Sequence, residues 1–463
     1  MPDPQVRIRL YGGLLGDCSL LRFPRPDGST CSVLIDFGVL QHMAQGEARL
    51  PLIAADVLAA TGGKLDVVVA THRHWDHLCG FGKAPEFANT IDEIWMSWIE
   101  KPDDGQGAAL AGAIEQTGAA LASAAATADP GLTDAGDAGQ LRSLLAFLGL
   151  ADVETVAEAA LSGDGGNKKA GRLTTLGCLE LLRKRGKPLY LEPGGILPLT
   201  DTGVRVFVLG PPRSEARLRD QTPSSDGREV YPLALDLAST LTPPPGVAPA
   251  LTDPLALPFD ESVNSWLLPA DGASSGLPWL DAIYGGEENR WRRVDAAGAA
   301  ALALRLDNIV NNTSLVLAFE LPDSKHVLLF PADAQVGNWL SWHDIAWPAG
   351  AETTTDLLAR TVFLKTAHHG SINATVRDGG LEAMTSPLLS AFIPVVETFA
   401  RTKTPSWDMP HGPTLDRLLT KTEGRVARGD RPAPDIAQAG AGAFETKFLD
   451  DDPVNPFWIE YRI

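Results

Sequence analysis

The stretch Thr71-His72-Arg73-His74-Trp75-Asp76-His77 decides the reading of this chain. It follows directly on Leu65-Asp66-Val67-Val68-Val69-Ala70, a β-branched run without alternation, as expected of a strand buried on both faces. In an extended segment residues two apart face the same side, so His72 and His74 point into one site. Asp76 and His77 come next, on the turn, and serve an adjacent site. Imidazole and carboxylate donors together suit zinc, manganese or iron. Four candidate ligands lie within six residues of a chain that has only nine histidines, which sets the segment apart from a polar surface loop. The spacing is not that of HExxH, whose histidines need a helix.

Working outward, further strands frame this segment. Val6–Tyr11 alternates, and Gly12, Gly13 and Gly16 punctuate a turn before Cys18–Phe23. Cys31–Ile35 ends in Asp36-Phe37-Gly38, where Asp36 reads as a bracing residue. Val204–Leu209 closes with Gly210-Pro211-Pro212, and Ser314–Glu320 with His326–Phe330 reads as a hairpin around Pro322-Asp323-Ser324. Thr361–Thr366, Leu389–Val396 and Phe457–Ile463 are further strands. Two segments differ in character. About 100–190 reads as a helical insertion, Ala-rich over Gly107–Ala126 and helically spaced over Leu141–Leu161. About 213–305 is irregular, Pro-rich over Thr242–Pro258 and Gly- and Ser-containing over Asp271–Pro278, and is too long for a simple connection; it reads as a lid or decoration. The 463 residues are thus one domain, 1–463, enlarged by two insertions, with no internal repeat.

Two more motifs carry chemistry. Phe330-Pro331-Ala332-Asp333-Ala334 places a carboxylate at a strand end, and Leu364-Lys365-Thr366-Ala367-His368-His369-Gly370-Ser371 places two histidines there. Adjacent side chains diverge at a strand end, so one of His368 and His369 ligates a metal while the other orients or polarises a substrate oxygen. Spacing does not say which, and both are candidates.

With these motifs in order, the chain resembles the metallo-β-lactamase superfamily, whose HxHxDH signature it matches in full. The resemblance implies an α/β fold, an αββα four-layer sandwich with metals at one edge and, here, two large insertions. It implies two divalent metal ions, zinc ahead of manganese. His72 and His74 would bind one, Asp76 and His77 the other, and Asp333 would bridge them, with Ala332 where the family usually has Gly. His368 and His369 supply the remaining ligand. Gly16-Asp17-Cys18, Val206–Pro211, Asn311-Asn312-Thr313-Ser314-Leu315-Val316, His368–Ser371 and the imperfect Met409-Pro410-His411-Gly412-Pro413 resemble the branch typified by the hydrolase domain of ComEC, the competence protein of DNA uptake. That branch implies hydrolysis by a metal-activated water, with a phosphodiester of nucleic acid or a nucleotide favoured as substrate. Asp76, His369 and His411 become the candidate catalytic residues.

One departure stands out. Many superfamily members place another histidine before the bridging aspartate, and here no histidine occurs between His77 and His326. His326 belongs to the strand leading to Asp333 and is a poor candidate. Water, an acidic residue from an insertion, or His411 would complete the first site.

Composition limits the function classes. Lys and Arg number 39 against 58 Asp and Glu, a net charge of −19, so the chain is no general coat for nucleic acid. The basic concentration Lys168, Lys169, Arg172, Arg183, Lys184, Arg185 and Lys187 reads as a solvated face before it reads as a polyanion site. No apolar run approaches the length of a membrane span, the N-terminus lacks a leader pattern, and Cys18, Cys31, Cys79 and Cys178 show no CxxC spacing. A cytoplasmic protein with free thiols is the expectation, with a small-molecule or nucleic-acid substrate, no membrane association, and a protein partner through the insertions left open. Two other functions remain: hydrolysis of lactone- or thioester-type carbonyls by the same metals, and a non-catalytic metal-binding or assembly role.

Overall fold

The computed structural model describes residues 5–127, 137–150, 173–220, 229–230, 302–398, 409–436 and 438–463. Within them the protein is mixed α/β, with two sheets and several helices, compatible with an α/β sandwich. The first sheet is built from β1 (Arg7–Tyr11), β2 (Ser19–Pro24), β3 (Thr30–Ile35), β4 (Leu65–Val69), β5 (Ile91–Ser97) and β6 (Lys187–Leu191). The second uses β7 (Ile196–Pro198), β8 (Arg205–Gly210), β9 (Val316–Glu320), β10 (Val327–Phe330), β11 (Thr361–Lys365), β12 (Ser390–Ile393) and β13 (Val426–Arg428). The chain then returns to the first sheet through β14 (Ala443–Lys447) and β15 (Trp458–Arg462). The strand orders are β14-β15-β1-β2-β3-β4-β5-β6 and β13-β12-β11-β10-β9-β8-β7.

Both sheets are half antiparallel and half parallel. β3, β4, β5 and β6 run parallel in the first, β10, β11, β12 and β13 in the second. The expected hairpin is present, with Val327 opposite Glu320 and Phe330 opposite Leu317. The apolar runs lack alternation because both faces of these strands are covered. Val67 and Val69, Leu317 and Phe319, and Leu328 and Phe330 face the core between the sheets. Their neighbours Val68, Ala318 and Leu329 face helices instead. Phe23 and Phe319 stack across the sheet interface with ring centroids 5.6 Å apart.

Four helices matter for the site. α1 (Ala44–Thr61) ends at Gly62, which takes a left-handed φ of 66° that glycine adopts without steric cost. α2 (Trp75–Lys83) begins inside the histidine motif, with Asp76 in its first turn and Lys83 in its last, both favourable to the helix dipole. α3 (Gly105–Thr127) is the Ala-rich stretch, and α4 (Asp137–Phe147) follows it. The helical spacing read over Leu141–Leu161 does not continue as one helix: α4 stops at Phe147, Gly149 turns with φ 71°, and residues from 151 lie outside the described ones. The segment about 100–190 also ends in a strand, β6, rather than a helix. α3, α4 and the helical stretch 302–312 share a small core of Ile114, Leu121, Leu144, Leu145, Leu306 and Val310. Most of the second irregular segment, including 242–258 and 271–278, lies outside the described residues.

All four cysteines are buried and free, and burial pushes the thiols of Cys31, Cys79 and Cys178 up to about 12. Among the described residues no helix is long and apolar enough to cross a membrane.

Phe319→Ala tests the sheet interface. It should cost about 3–5 kcal/mol in urea unfolding, as a large-to-small change in a close-packed core does; a loss under about 1 kcal/mol would show that the sheets do not interlock there.

Candidate metal centre

Parallel strands end on one side of a sheet, and β3, β4, β10 and β11 end beside one another here. β3 runs into Asp36, β4 into Thr71–His77, β10 into Asp333, and β11 into Lys365 and His368–His369. Crevices outside the carboxyl ends of strands are the usual ligand sites of such sheets. β9 is antiparallel to β10, so its preceding segment, 302–315, arrives at the same edge. One contact joins the sheets there, the Leu315 amide donating to Thr71 O (2.9 Å), and within the second sheet Ser314 Oγ accepts from the Asp333 amide (3.3 Å).

Close backbone approach is part of the construction. A Cβ on Gly38 would stand 2.4 Å from the Asp76 carbonyl carbon, so only glycine lets this turn lie against α2. Asp36, Ala332, His368 and His369 all take positive φ, between 41° and 55°, in the left-handed region that side chains disfavour. Such conformations persist where surrounding contacts over-determine them, and they gather at sites.

Three donor groups result; the third is Asp17, Asp36 and His77, and the other two share Asp333. In the first, His72, His74 and Asp333 bring ligand atoms within 4.8 Å of one another; in the second, Asp76, His77, Asp333 and His369 do the same. In the second set His77 Nε2 lies 3.1 Å from Asp333 Oδ2 and His369 Nε2 lies 3.2 Å from Asp76 Oδ2. All these side chains are buried, the most exposed being His72 at 4%.

The outer nitrogens of three rings are tied down. His77 Nδ1 is 2.8 Å from Asp36 Oδ2, His369 Nδ1 is 2.7 Å from Pro394 O, and His72 Nδ1 is 3.0 Å from Thr71 Oγ1. Thr71 Oγ1 in turn donates to Asp36 Oδ2 (2.7 Å), so Asp36 steadies a histidine of each set. This pattern, one ring nitrogen anchored and the other aimed inward, is that of metal-ligating histidines. Inner atoms stand without hydrogen-bond partners: His72 Nε2, both nitrogens of His74, and Asp76 Oδ1. Buried polar atoms are rarely left so, at a cost of about 1–3 kcal/mol each. These buried His and Asp groups could hold a metal ion, and the donor chemistry fits one.

Electrostatics point the same way. Asp17, Asp36, Asp76, Asp307 and Asp333 are all buried, and Lys365 is the buried ammonium among them. Lys365 bonds Asp17 and Ala332 O and lies 3.5 Å from Asp333. Burial opposes charge on His77, yet Asp333, Asp76, Asp36 and Asp17 raise its pKa well above the ordinary value. Burial likewise opposes charge on His369, and Asp76 and Asp333 outweigh it. Burial pushes His74 down to about 3, and burial with His77 and His74 depresses His72. Burial opposes the charge of Asp333, but His77 and Lys365 hold its pKa well below the carboxylate range.

The remaining candidates sit at the margin. His368 is outside both sets: Gln335 Nε2 and Ser371 Oγ lie at 3.1 and 3.0 Å from its Nδ1, and Asn311 Nδ2 at 3.4 Å from its Nε2. Of the adjacent pair, the geometry therefore brings His369 to the donor cluster. His411 lies beside Gly370, its amide donating to Gly370 O and its Nδ1 2.8 Å from Thr414 Oγ1, and it belongs to neither set. Asp76 and His77 sit on the first turn of α2 rather than on a loop. Asp17, Lys365 and Asp307 were given no role from sequence. A lysine ending the otherwise apolar β11 was a visible signal, and Asp307 carried none beyond its i,i+4 spacing to Asn311. Within the basic run, Arg183 bonds Glu100 and Glu180, and Arg185 donates to Phe81 O and Ala84 O. These two arginines are committed to the fold, while Lys184 and Lys187 are exposed.

Phe147 at the end of α4 covers the cluster, its ring centroid 6.0 Å from His74 and 6.3 Å from His369. Comparison of the chain with known protein families finds no match, and comparison with curated proteins finds none either.

Asp36→Asn tests the bracing. It should weaken metal uptake by roughly 10–100-fold, the usual effect of removing a group that orients ligating histidines, read by competition with a chelating dye. Unchanged affinity would reduce Asp36 to a loop brace.

Proposed function

We propose that the chain is a metal-dependent hydrolase with a metallo-β-lactamase-type fold, holding two divalent cations and acting on a phosphodiester. The observation that carries this reading is the sharing of Asp333 by two buried His/Asp sets. A carboxylate common to two donor sets is what a dinuclear site needs, because it offsets the repulsion between two cations. Two divalent cations held this way supply a Lewis acid and a water nucleophile activated near neutral pH.

The residues divide the remaining work. Asp36 and the Pro394 carbonyl fix the orientations of His77 and His369. Asp76 turns Oδ2 toward His369 and keeps Oδ1 unpartnered, so Oδ1 is placed to take a proton from the nucleophile. Burial pushes His368 down to about 4, so its ring is neutral at physiological pH. With Gln335 and Asn311 it forms a polar group beside the cluster, suited to a substrate oxygen.

Support for the phosphodiester comes from the ComEC-like motifs. Zinc stands ahead of manganese, with the hydrolase chemistry common to both. The Phe147 roof and the net charge of −19 favour a single phosphodiester group or a chain end over a duplex lying across the site.

The test is a substrate screen with Zn2+, Mn2+ and Mg2+ added in turn. Bis-p-nitrophenyl phosphate should be hydrolysed, and His72→Ala and Asp333→Asn should lower kcat/KM by roughly 10²–10³-fold or more, the scale of losing a charge-stabilising group. Turnover of a lactone panel but of no phosphodiester would replace the substrate class. A purified chain free of transition metal by mass spectrometry, with His72→Ala unaltered in activity, would overturn the hydrolase reading.

A further inference from the structure

The first donor set has three members, His72, His74 and Asp333, one short of the four protein ligands of a closed zinc site. We propose that Asp307 is the fourth, so that the first site consists of His72, His74, Asp307 and Asp333. The inference rests on the hydrolase reading for the presence of metal; the position of Asp307 is argued from its own surroundings.

Asp307 Oδ1 lies 3.5 Å from His74 Nε2. Two donors bound to one tetrahedral ion at about 2.0–2.2 Å stand roughly 3.4 Å apart. In the second set the His-to-carboxylate separations are 3.1, 3.2, 3.7 and 3.8 Å, the same range.

Neither atom of the pair is otherwise engaged. Asp307 Oδ1 and both ring nitrogens of His74 lack a hydrogen-bond partner, although Asp307 is only 3% exposed and His74 1%.

The carboxylate is also aimed. Asn311, one helical turn on, donates from Nδ2 to Asp307 Oδ2 at 3.1 Å, which leaves Oδ1 toward His74. Ligating carboxylates are characteristically held by such a second hydrogen bond. Leu306 and Val310 on the same helical stretch are locked into the core shared with α3 and α4, which fixes the helix over the site.

Each site then has two imidazoles and two carboxylates, with Asp333 in common. The chain supplies an oxygen donor where the resemblance would supply a histidine nitrogen. An oxygen-richer site moves preference toward manganese relative to zinc.

The test uses the full chain, stripped by chelator and equilibrated with Zn2+ alone or Mn2+ alone. Wild type should take up two equivalents and Asp307→Ala one. Asp307→Asn, which keeps the shape, should weaken one equivalent at least tenfold. Asp307→His should restore the second equivalent and raise the Zn-to-Mn ratio bound from an equimolar mixture. Melting of the metal-free proteins separates ligation from bracing. Asp307→Asn should melt at or above wild type, because a buried carboxylate whose Oδ1 has no partner is removed; a lower melting temperature would mark a structural residue and overturn the proposal. Two equivalents at unchanged affinity in Asp307→Ala would overturn it too, leaving the hydrolase reading intact. A wild-type chain that binds neither metal would sink the hydrolase reading, and the ligand assignment with it.

Discussion

Carboxylates crowded around one buried ammonium set the terms for this molecule. Asp17, Asp36, Asp76, Asp307 and Asp333 share the protein interior with Lys365. Each buried ion costs several kcal/mol unless it is paired, and here the acids draw His77 and His369 toward their charged forms while burial drives Asp307 toward its neutral one. A bound divalent cation would take over the pairing that those protons supply. The histidines of the first set are suited to it as well: His72 and His74 are held neutral by burial, with lone pairs facing inward. A core built like this gains nothing from its acids as packing, so their arrangement makes sense as a cradle for positive charge.

The sheets explain how the acids come together from so far apart in the chain. Parallel pairing of β3 with β4 and of β10 with β11 brings Asp36, the histidine motif, Asp333 and His369 to one edge. Antiparallel β9 delivers the segment carrying Asp307 to the same place. Glycine at position 38 and left-handed backbone at Asp36, Ala332, His368 and His369 then bring the loops to contact distance. Among the described residues, four of the nine non-glycine positions with positive φ thus sit where the donors converge.

Much of this could be read from the residues. His72 and His74 come together as their spacing suggested, ring centroids 4.7 Å apart, although the chain bends at His72 and Arg73 on the way into α2, and the chain order of the motifs anticipated which strand ends would meet. β5, β6, β7, β13 and β14 were not anticipated: charged residues such as Glu93, Lys187 and Glu445 interrupt apolar patterns, β7 is only three residues long, and pairing partners decide them all. Choosing between His368 and His369 needed the Pro394 carbonyl, which lies after the next strand and is invisible to local spacing. Asp307 was beyond reach for a similar reason: its role depends on a helix packing across the site, and nothing in its immediate neighbours announces that.

That helix has one more implication. Residues 302–312 place Leu306 and Val310 in the core shared with α3 and α4, and Asp307 against His74. α4 in turn carries Phe147 over the same imidazoles. Phe147 and Asp307 are therefore carried by one mechanical unit. By linkage, whatever free energy a ligand gains from the docked helices, those helices gain from the ligand, and loosening the layer loosens the ligand by the same amount. These helices are in this sense a latch whose strength is set in the interior of the site they cover.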